Sequence, residues 1–310
     1  RIEQQNKAIF AENKEKIILN SEILLNELTS KSATFSEFQL LTLAQKRLGD
    51  DSKVVGAVFE EALKRAVVLG QGYASEMRYT SKQYLEVEAR ASDELEAISK
   101  RSFVSVDATF NDSRLSDEQK AAISNLCSDD ALAVLIGRAG AGKTTALKSV
   151  VESHVGFRVI GTSLSASAAE NLGNETNIES RTLHSWQGLW SAGKELMDSK
   201  TVMIVDEAGM VGTRQWAELL RQANATGAKV IAVGDDHQFK AVDAGDFFRE
   251  IVTKATNVSK LETIIRQEVA WQRTASEKLA DFKVHEALTA YKDNLKGVEG
   301  YAITIKVAEA

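Results

Sequence analysis

Proline is missing altogether from the 310 residues, where a usual share of about 5% would supply roughly fifteen. With it goes a common helix stop, so helix ends must be read from Gly, Asn, Asp and Ser. Cysteine is nearly as scarce. Cys127 stands alone, which excludes an intrachain disulfide and a cysteine-based metal site and fits a reducing compartment. The four histidines, His154, His184, His237 and His285, lack His-x-His spacing and read as core or surface residues rather than metal ligands. No apolar run approaches the length of a membrane span, and no signal peptide is visible, so the expected location is cytoplasmic. The chain opens on polar Arg1-Ile2-Glu3-Gln4 without an initiator Met, as expected of a piece of a longer protein. Positive charge is not in excess either. The net charge is −6, with 15 basic against 17 acidic side chains in residues 1–110 and 23 against 27 in 111–310. That balance argues against tight, indiscriminate gripping of nucleic-acid phosphates, although a groove on an acidic protein can still be locally basic.

What is present is a globular composition, 44% hydrophobic and 26% charged, in a length sufficient for two or three domains. Residues 1–110 read as helices. Ile17, Leu24, Leu25 and Leu28 share one face at helical spacing. Thr34-Phe35-Ser36-Glu37 has the pattern of a capping box ahead of a helix reaching about Leu48. Another helix is expected over Val54 to Ala66, and a further one from Thr80-Ser81-Lys82-Gln83 to about Lys100. Ala66–Leu69 and Met77–Tyr79 flank a glycine-containing loop and suit a hairpin. Helices with one small hairpin suit a winged-helix module, and a plain helical scaffold fits equally well. Residues 101–114 have the polar look of a linker. From Leu115 the apolar runs Ala133–Ile136, Arg158–Ile160, Thr201–Val205 and Lys229–Val233 alternate with helical segments, the pattern of a parallel sheet with crossover helices.

Gly137-Arg138-Ala139-Gly140-Ala141-Gly142-Lys143-Thr144 matches the phosphate-loop pattern G-x-x-x-x-G-K-[ST]. It follows a buried-strand run and opens a helix from Thr145 to Val151, which is the setting the motif requires. Gly137, Gly140, Ala141, Gly142 and Thr145 would supply backbone N–H groups around phosphate oxygens at a helix N-terminus. Lys143 would reach the β- and γ-phosphates of ATP, and Thr144 would ligate Mg²⁺. The complementary acidic pair ends the strand Val202–Val205, with Asp206 lying 63 residues after Lys143. Asp206 would hold the metal through water, and Glu207 would orient the attacking water. In Gly234-Asp235-Asp236-His237-Gln238, the Gln238 amide is placed to sense the γ-phosphate, although such a turn alone is weak evidence. Gln119 suits an adenine contact, and Ser116-x-x-Gln119 is also a capping box; one amide can serve both.

Taken in order, Leu115–Ile123, Gly137–Thr145, Val159–Leu172, Ser180–Trp186, Val202–Met210, Gly234–Phe248 and Leu261–Gln267 resemble the motif series of superfamily-one helicases of the RecD-like branch. More narrowly they resemble the helicase region of Ti-type conjugative relaxases, the TraA family. The preceding helical region, notably Thr34–Glu37 and Tyr79–Glu88, is more weakly similar. The resemblance implies an α/β fold, a RecA-like P-loop NTPase with a parallel sheet behind a helix-rich, winged-helix-like accessory region. It divides the chain into an accessory region at 1–110, a first motor domain at 111–260 and the start of a second at 261–310. It implies that Thr162, Ser163, Thr182 and Trp186 lie along single-stranded DNA, with Trp186 stacking on a base; core packing suits Trp186 and Trp190 as well. It makes Arg266 an arginine finger, a group that contributes roughly 10³–10⁵ in rate. Relaxosome or secretion-channel proteins are the further partners implied. Family members often carry prolines in the segments matching Gly161–Ala168 and the Asp-x-x-Gln turn, and this chain has none. The family's last two helicase motifs and the relaxase histidines and tyrosine have no counterpart here, so this stretch alone is expected to bind nucleotide with weak or no DNA-driven turnover. A RecD-like repair helicase subunit and a non-catalytic interaction fragment are the alternatives.

Overall fold

The computed structural model describes residues 2–72, 75–138, 140–235 and 247–263, and of the remainder 271, 274–275, 278 and 283–294. The first unit comprises α1 (Ile2–Leu19), α2 (Glu22–Lys31), α3 (Glu37–Leu48), α4 (Ser52–Arg65), β1 (Val67–Gln71) and β2 (Met77–Thr80). Without proline, its helices are bounded by side-chain caps and glycine. The Asp51 carboxylate accepts from Lys53 and Val54 N–H at the start of α4, and Gly49, at φ 82°, turns the chain out of α3. Leu24, Leu25, Phe35, Leu40, Ala44, Leu48, Val55, Val58 and Tyr79 form its core. The β1–β2 hairpin is antiparallel with a bulge between Val68 and Gly70. Phe35 bridges to Tyr79, adding a third short strand. From α2 onward, helix, bridge, helix, helix, hairpin is the order of a winged helix, one of the two arrangements the sequence allowed. The capping box, however, is Ser36–Gln39, two residues later than Thr34–Glu37. Phe35 must stay extended to pair with Tyr79, so the helix cannot begin before it.

α5 (Lys82–Ser99) leaves this unit. Its cap residue Ser81 lies 2.8 Å, hydroxyl to hydroxyl, from Thr29 of α2. Beyond it the parallel sheet is assembled from β3 (Leu132–Gly137), β4 (Arg158–Ser163), β5 (Glu179–Thr182), β6 (Thr201–Val205), β7 (Lys229–Gly234) and β8 (Asn257–Leu261), in the order β5-β4-β6-β7-β3-β8. Every pairing is parallel. The intervening helices are α6 (Asp117–Leu126), α7 (Lys143–Ser153), α8 (Ala166–Thr176), α9 (Leu183–Ser191), α10 (Thr213–Thr226) and α11 (Phe247–Lys254). A further helix spans Val284–Asn294. β3, β6 and β7 are buried along their whole length, the expected state of parallel strands covered on both faces. Alternate residues of β3 feed two cores: Leu132, Val134 and Ile136 one, Ala133 and Leu135 the other.

Residues 101–114 are not a free linker. Phe103 N–H donates to Asp129 O at 2.5 Å, and Val106 N–H to Cys127 O at 3.0 Å. The Arg101 guanidinium donates to the carbonyls of Gly227, Ala223 and Ala228. Polar composition misled here because backbone bonds, the half-buried Arg101 and the partly buried Phe103, Val106 and Ala108, packed against the two cores, strap the segment down. α5 likewise packs on the sheet unit. Ala91, Leu95 and Ile98 share a core with Trp216, Leu219 and Leu220 of α10. No helix among the described residues is long and apolar enough to cross a membrane.

Candidate nucleotide site and adjoining cleft

At the carboxyl edge of β3 the chain must turn sharply into α7, and glycine makes this possible. Gly140 and Gly142 stand at φ 83° and 80°, a left-handed conformation that side chains other than Asn or Asp resist. A Cβ on Gly137 would sit 3.1 Å from Lys143 Cγ and 3.2 Å from Leu261 Cβ. Gly142 is the residue before α7, so the first N–H groups of that helix open at the loop, as a phosphate requires. Lys143 folds back over the loop, its Nζ donating to the carbonyls of Gly137 and Arg138. A phosphate would compete for those donors. Ala141 is buried beneath the loop; Thr144 is half-buried and Thr145 exposed at the start of α7.

Gln119 buttresses this loop. It is 2% exposed. Its Oε1 accepts from Ser116 N–H at 3.0 Å, closing the capping box of α6, and its Nε2 donates to Gly142 O at 3.2 Å. The geometry thus shows the capping box that the sequence reading set beside an adenine contact, and adds support of the loop.

β6 delivers the acidic pair to the same edge, one strand (β7) removed from β3. The Asp206 carboxyl is pushed above its usual range by desolvation, opposed by the Glu207 N–H and by the charge of Lys143. β3 and β6 both end at this edge of the sheet, Lys143 opening the helix after one and Asp206 following the other. Asp206 Oδ1 accepts from Glu207 N–H at 2.9 Å. Glu207 is exposed and left-handed, at φ 54°, the kind of backbone that persists where neighbours hold it. A desolvated carboxylate at the edge of the sheet where α7 opens with Thr144 suits Mg²⁺, which takes one or two protein oxygens and completes its shell with phosphate and water. Among the described residues no cluster of three or more His, Cys, Asp or Glu competes for a metal ion. Gln238 and Arg266 lie outside the described residues.

Of the residues expected along DNA, three are buried. Thr162, Ser163 and Trp186 are each 0% exposed. Trp186 Nε1 donates to Gly161 O at 2.9 Å, and its ring lies parallel to that of Trp190. Trp186 is therefore a core residue here, and its ring offers no face to a base. Gly161 itself leaves room for α8 and β5: a Cβ there would come within 2.8 Å of Leu172 and Ser180. Thr182 caps α9 and lines a cleft of about 690 Å³ with Ala166, Asn174, Asn177, Arg181 and Ser185. The sequence reading missed Asn174, Asn177, Arg181 and Ser185. Their signal was present in the caps: Ser165 and Thr182 open α8 and α9, and Asn177 closes α8 left-handed. Arg181 is paired with Glu179, 2.8 Å apart, and with Glu170 also in the lining the cleft carries no cationic excess.

A parallel sheet with these groups gathered at one edge is a RecA-like P-loop NTPase core. Over residues 114–298, more than half its length, the sequence matches the AAA domain family, and the chain belongs to that family. It is 36% identical over 302 residues to the conjugal transfer protein TraA of Rhizobium radiobacter, covering 92% of this chain and 27% of that protein. It is 32% identical over 159 residues to the ATP-dependent RecD2 DNA helicase of Deinococcus radiodurans, covering 49% of this chain and 22% of that one. A solved structure of the Pif1 helicase from Bacteroides, in complex with ADP-AlF3 and ssDNA, aligns with a TM-score of 0.44 at 24% identity, covering 63% of this chain and 52% of that one. The chain thus spans about a quarter of the TraA protein that it matches.

Proposed function

We propose that this chain is the ATP-binding motor core of a translocase acting on single-stranded DNA in conjugative transfer. The observation that carries this is the glycine turn after β3, with Lys143 folded back over it and Asp206 following β6 at the same edge of the sheet. Lys143 and the N-terminal amides of α7 hold the triphosphate. Thr144 and Asp206 hold Mg²⁺, which neutralises charge on the phosphate oxygens. Glu207 orients the attacking water; Gln238 and Arg266 are assigned to sensing and stabilising the γ-phosphate. The strand lies in the cleft between α8 and α9, where two helix N-termini, hydroxyls and amides meet the phosphates. Without surplus cations, binding there is positioned rather than tight. The likeness to TraA over 92% of the chain, against 49% for RecD2, supports conjugation over repair, with relaxosome or secretion-channel proteins as further partners.

Calorimetry with Mg-ATP tests this. The chain is expected to bind, and Lys143→Ala to lose binding by at least tenfold while its circular dichroism is unchanged. A folded chain that binds no nucleotide would favour a non-catalytic interaction fragment instead.

A further inference from the structure

The last residue of β4 is bonded to the glutamate that follows β6. Ser163 Oγ donates to Glu207 Oε2 at 3.1 Å, and Ser163 is wholly buried. In the sheet, β4 flanks β6 on one side, whereas β3 and its phosphate loop lie two strands away on the other, about 10 Å at ordinary strand spacing. The bond therefore draws the carboxylate away from the loop it is assigned to serve. Glu207 also carries a left-handed backbone, steadied by Met210 N–H donating to its carbonyl at 2.8 Å. Ser163 has a second neighbour. It pairs with Thr182 across β4 and β5, and Thr182 lines the cleft together with Ala166, the first residue of α8. Ser163 is thus joined to the cleft wall by its backbone and to the glutamate by its buried hydroxyl. Asp206 is held to β4 differently, by its backbone N–H to Thr162 O at 2.9 Å, so a change at the Ser163 hydroxyl reaches Glu207 and leaves the metal ligand in place.

We propose that Ser163 is a positioning residue that parks Glu207 away from the phosphate loop while the cleft is empty and releases it when a single strand enters. The proposal rests on the nucleotide and strand sites assigned above. Its test compares affinities for ADP and for ADP–aluminium fluoride, a mimic of phosphoryl transfer, with and without an oligo-dT strand. In the wild-type chain the oligonucleotide is expected to tighten the mimic and leave ADP unchanged. Ser163→Ala should bind the mimic roughly tenfold more tightly without oligonucleotide, the scale of one lost hydrogen bond to a charged group, and gain nothing further from it. Ser163→Thr keeps the hydroxyl and should behave as wild type. Ser163→Cys, a weak donor of similar size, should side with alanine and replaces it if alanine packs badly. A merely structural role would move ADP and the mimic together. Equal mimic-to-ADP ratios in wild type and Ser163→Ala, or an oligonucleotide without effect on the wild-type ratio, overturn the role of Ser163 and leave the nucleotide site standing. A wild-type chain that binds no ADP overturns the site and this proposal together.

Discussion

Gln119 separates two accounts of the nucleotide site. One amide closes the capping box of α6 through Ser116 and holds Gly142 of the phosphate loop. Gln119→Ala removes both bonds. Each contributes about 0.5–1.5 kcal/mol net, so a loss of about 1–3 kcal/mol in unfolding free energy is expected by denaturant titration. Gln119→Glu is more selective: a carboxylate still accepts from Ser116 N–H but faces the Gly142 carbonyl with no proton to give. It should keep the α6 cap and loosen the loop. Both variants should weaken ATP and GTP equally, because Gly142 orients amides toward phosphates common to both. Fluorescent ATP and GTP analogues, titrated in parallel, read the result. A tenfold loss for ATP with GTP untouched would refute support of the loop as the role of Gln119 and restore a contact to adenine.

Three other outcomes follow from buried groups and the strap. Burial lowers the Lys229 ammonium to about 8, below the unfolded value near 10.4. Between those pH values the unfolded chain holds a proton that the folded one has released, so stability rises with pH across the window, by up to about 3 kcal/mol. Thermal melts from pH 7 to 10 should show that rise relative to Lys229→Met, and parallel curves for the two proteins would count against it. Trp186→Leu should cost about 2–4 kcal/mol of stability while oligo-dT affinity, measured by anisotropy in the folded range, stays within about twofold. A fall of 1–3 kcal/mol in binding, the worth of a stacked base, would return Trp186 to the DNA path. The amides of Phe103 and Val106 should exchange hydrogen as slowly as those of β3; exchange at the rate of open chain would mean that the strap is a linker after all.

The phosphate loop and the acidic pair were legible because each is a local pattern whose chemistry demands its spacing: Gly140 and Gly142 for left-handed turns, Asp206 and Glu207 at the end of a five-residue buried strand. β3, β4, β6 and β7 were legible as apolar runs. β5 and β8 were not: Glu179–Thr182 and Asn257–Leu261 alternate in burial at the edges of the sheet, so their sequences carry too few apolar residues to announce a strand. The caps of α8 and α9 were readable in Ser165 and Thr182, but not the fact that both helices open on one cleft. Which polar residues are buried was hidden for the same reason. Thr162, Ser163, Gln119 and Lys229 look like surface residues by type, and only long-range pairing puts them inside. Trp186 shows the reverse difficulty: its amphipathic setting fits a base platform or a core equally, and the carbonyl of Gly161, 25 positions away, decides the matter.

That long-range pairing has a mechanical consequence for the accessory unit. α5 starts at Ser81, in contact with Thr29 of α2. It then meets the helices that follow β6 and β7. Tyr84 Oη donates to Thr213 Oγ1 at 3.2 Å and Asn224 Nδ2 to Glu94 at 2.6 Å, both on α10. Ser92 Oγ donates to Glu250 on α11 at 2.7 Å. Thr213 lies six residues beyond Glu207, and α11 follows the segment that carries Gln238. Close-packed interiors pass displacements on instead of absorbing them. A shift of Glu207 or of the β7 end on nucleotide binding therefore reaches α5 through two helices, and Ala91, Leu95 and Ile98, all 0% exposed, leave α5 little room to stay behind. The winged-helix-like unit is consequently joined through α5 to the helices that follow β6 and β7 as well as to the 101–114 segment.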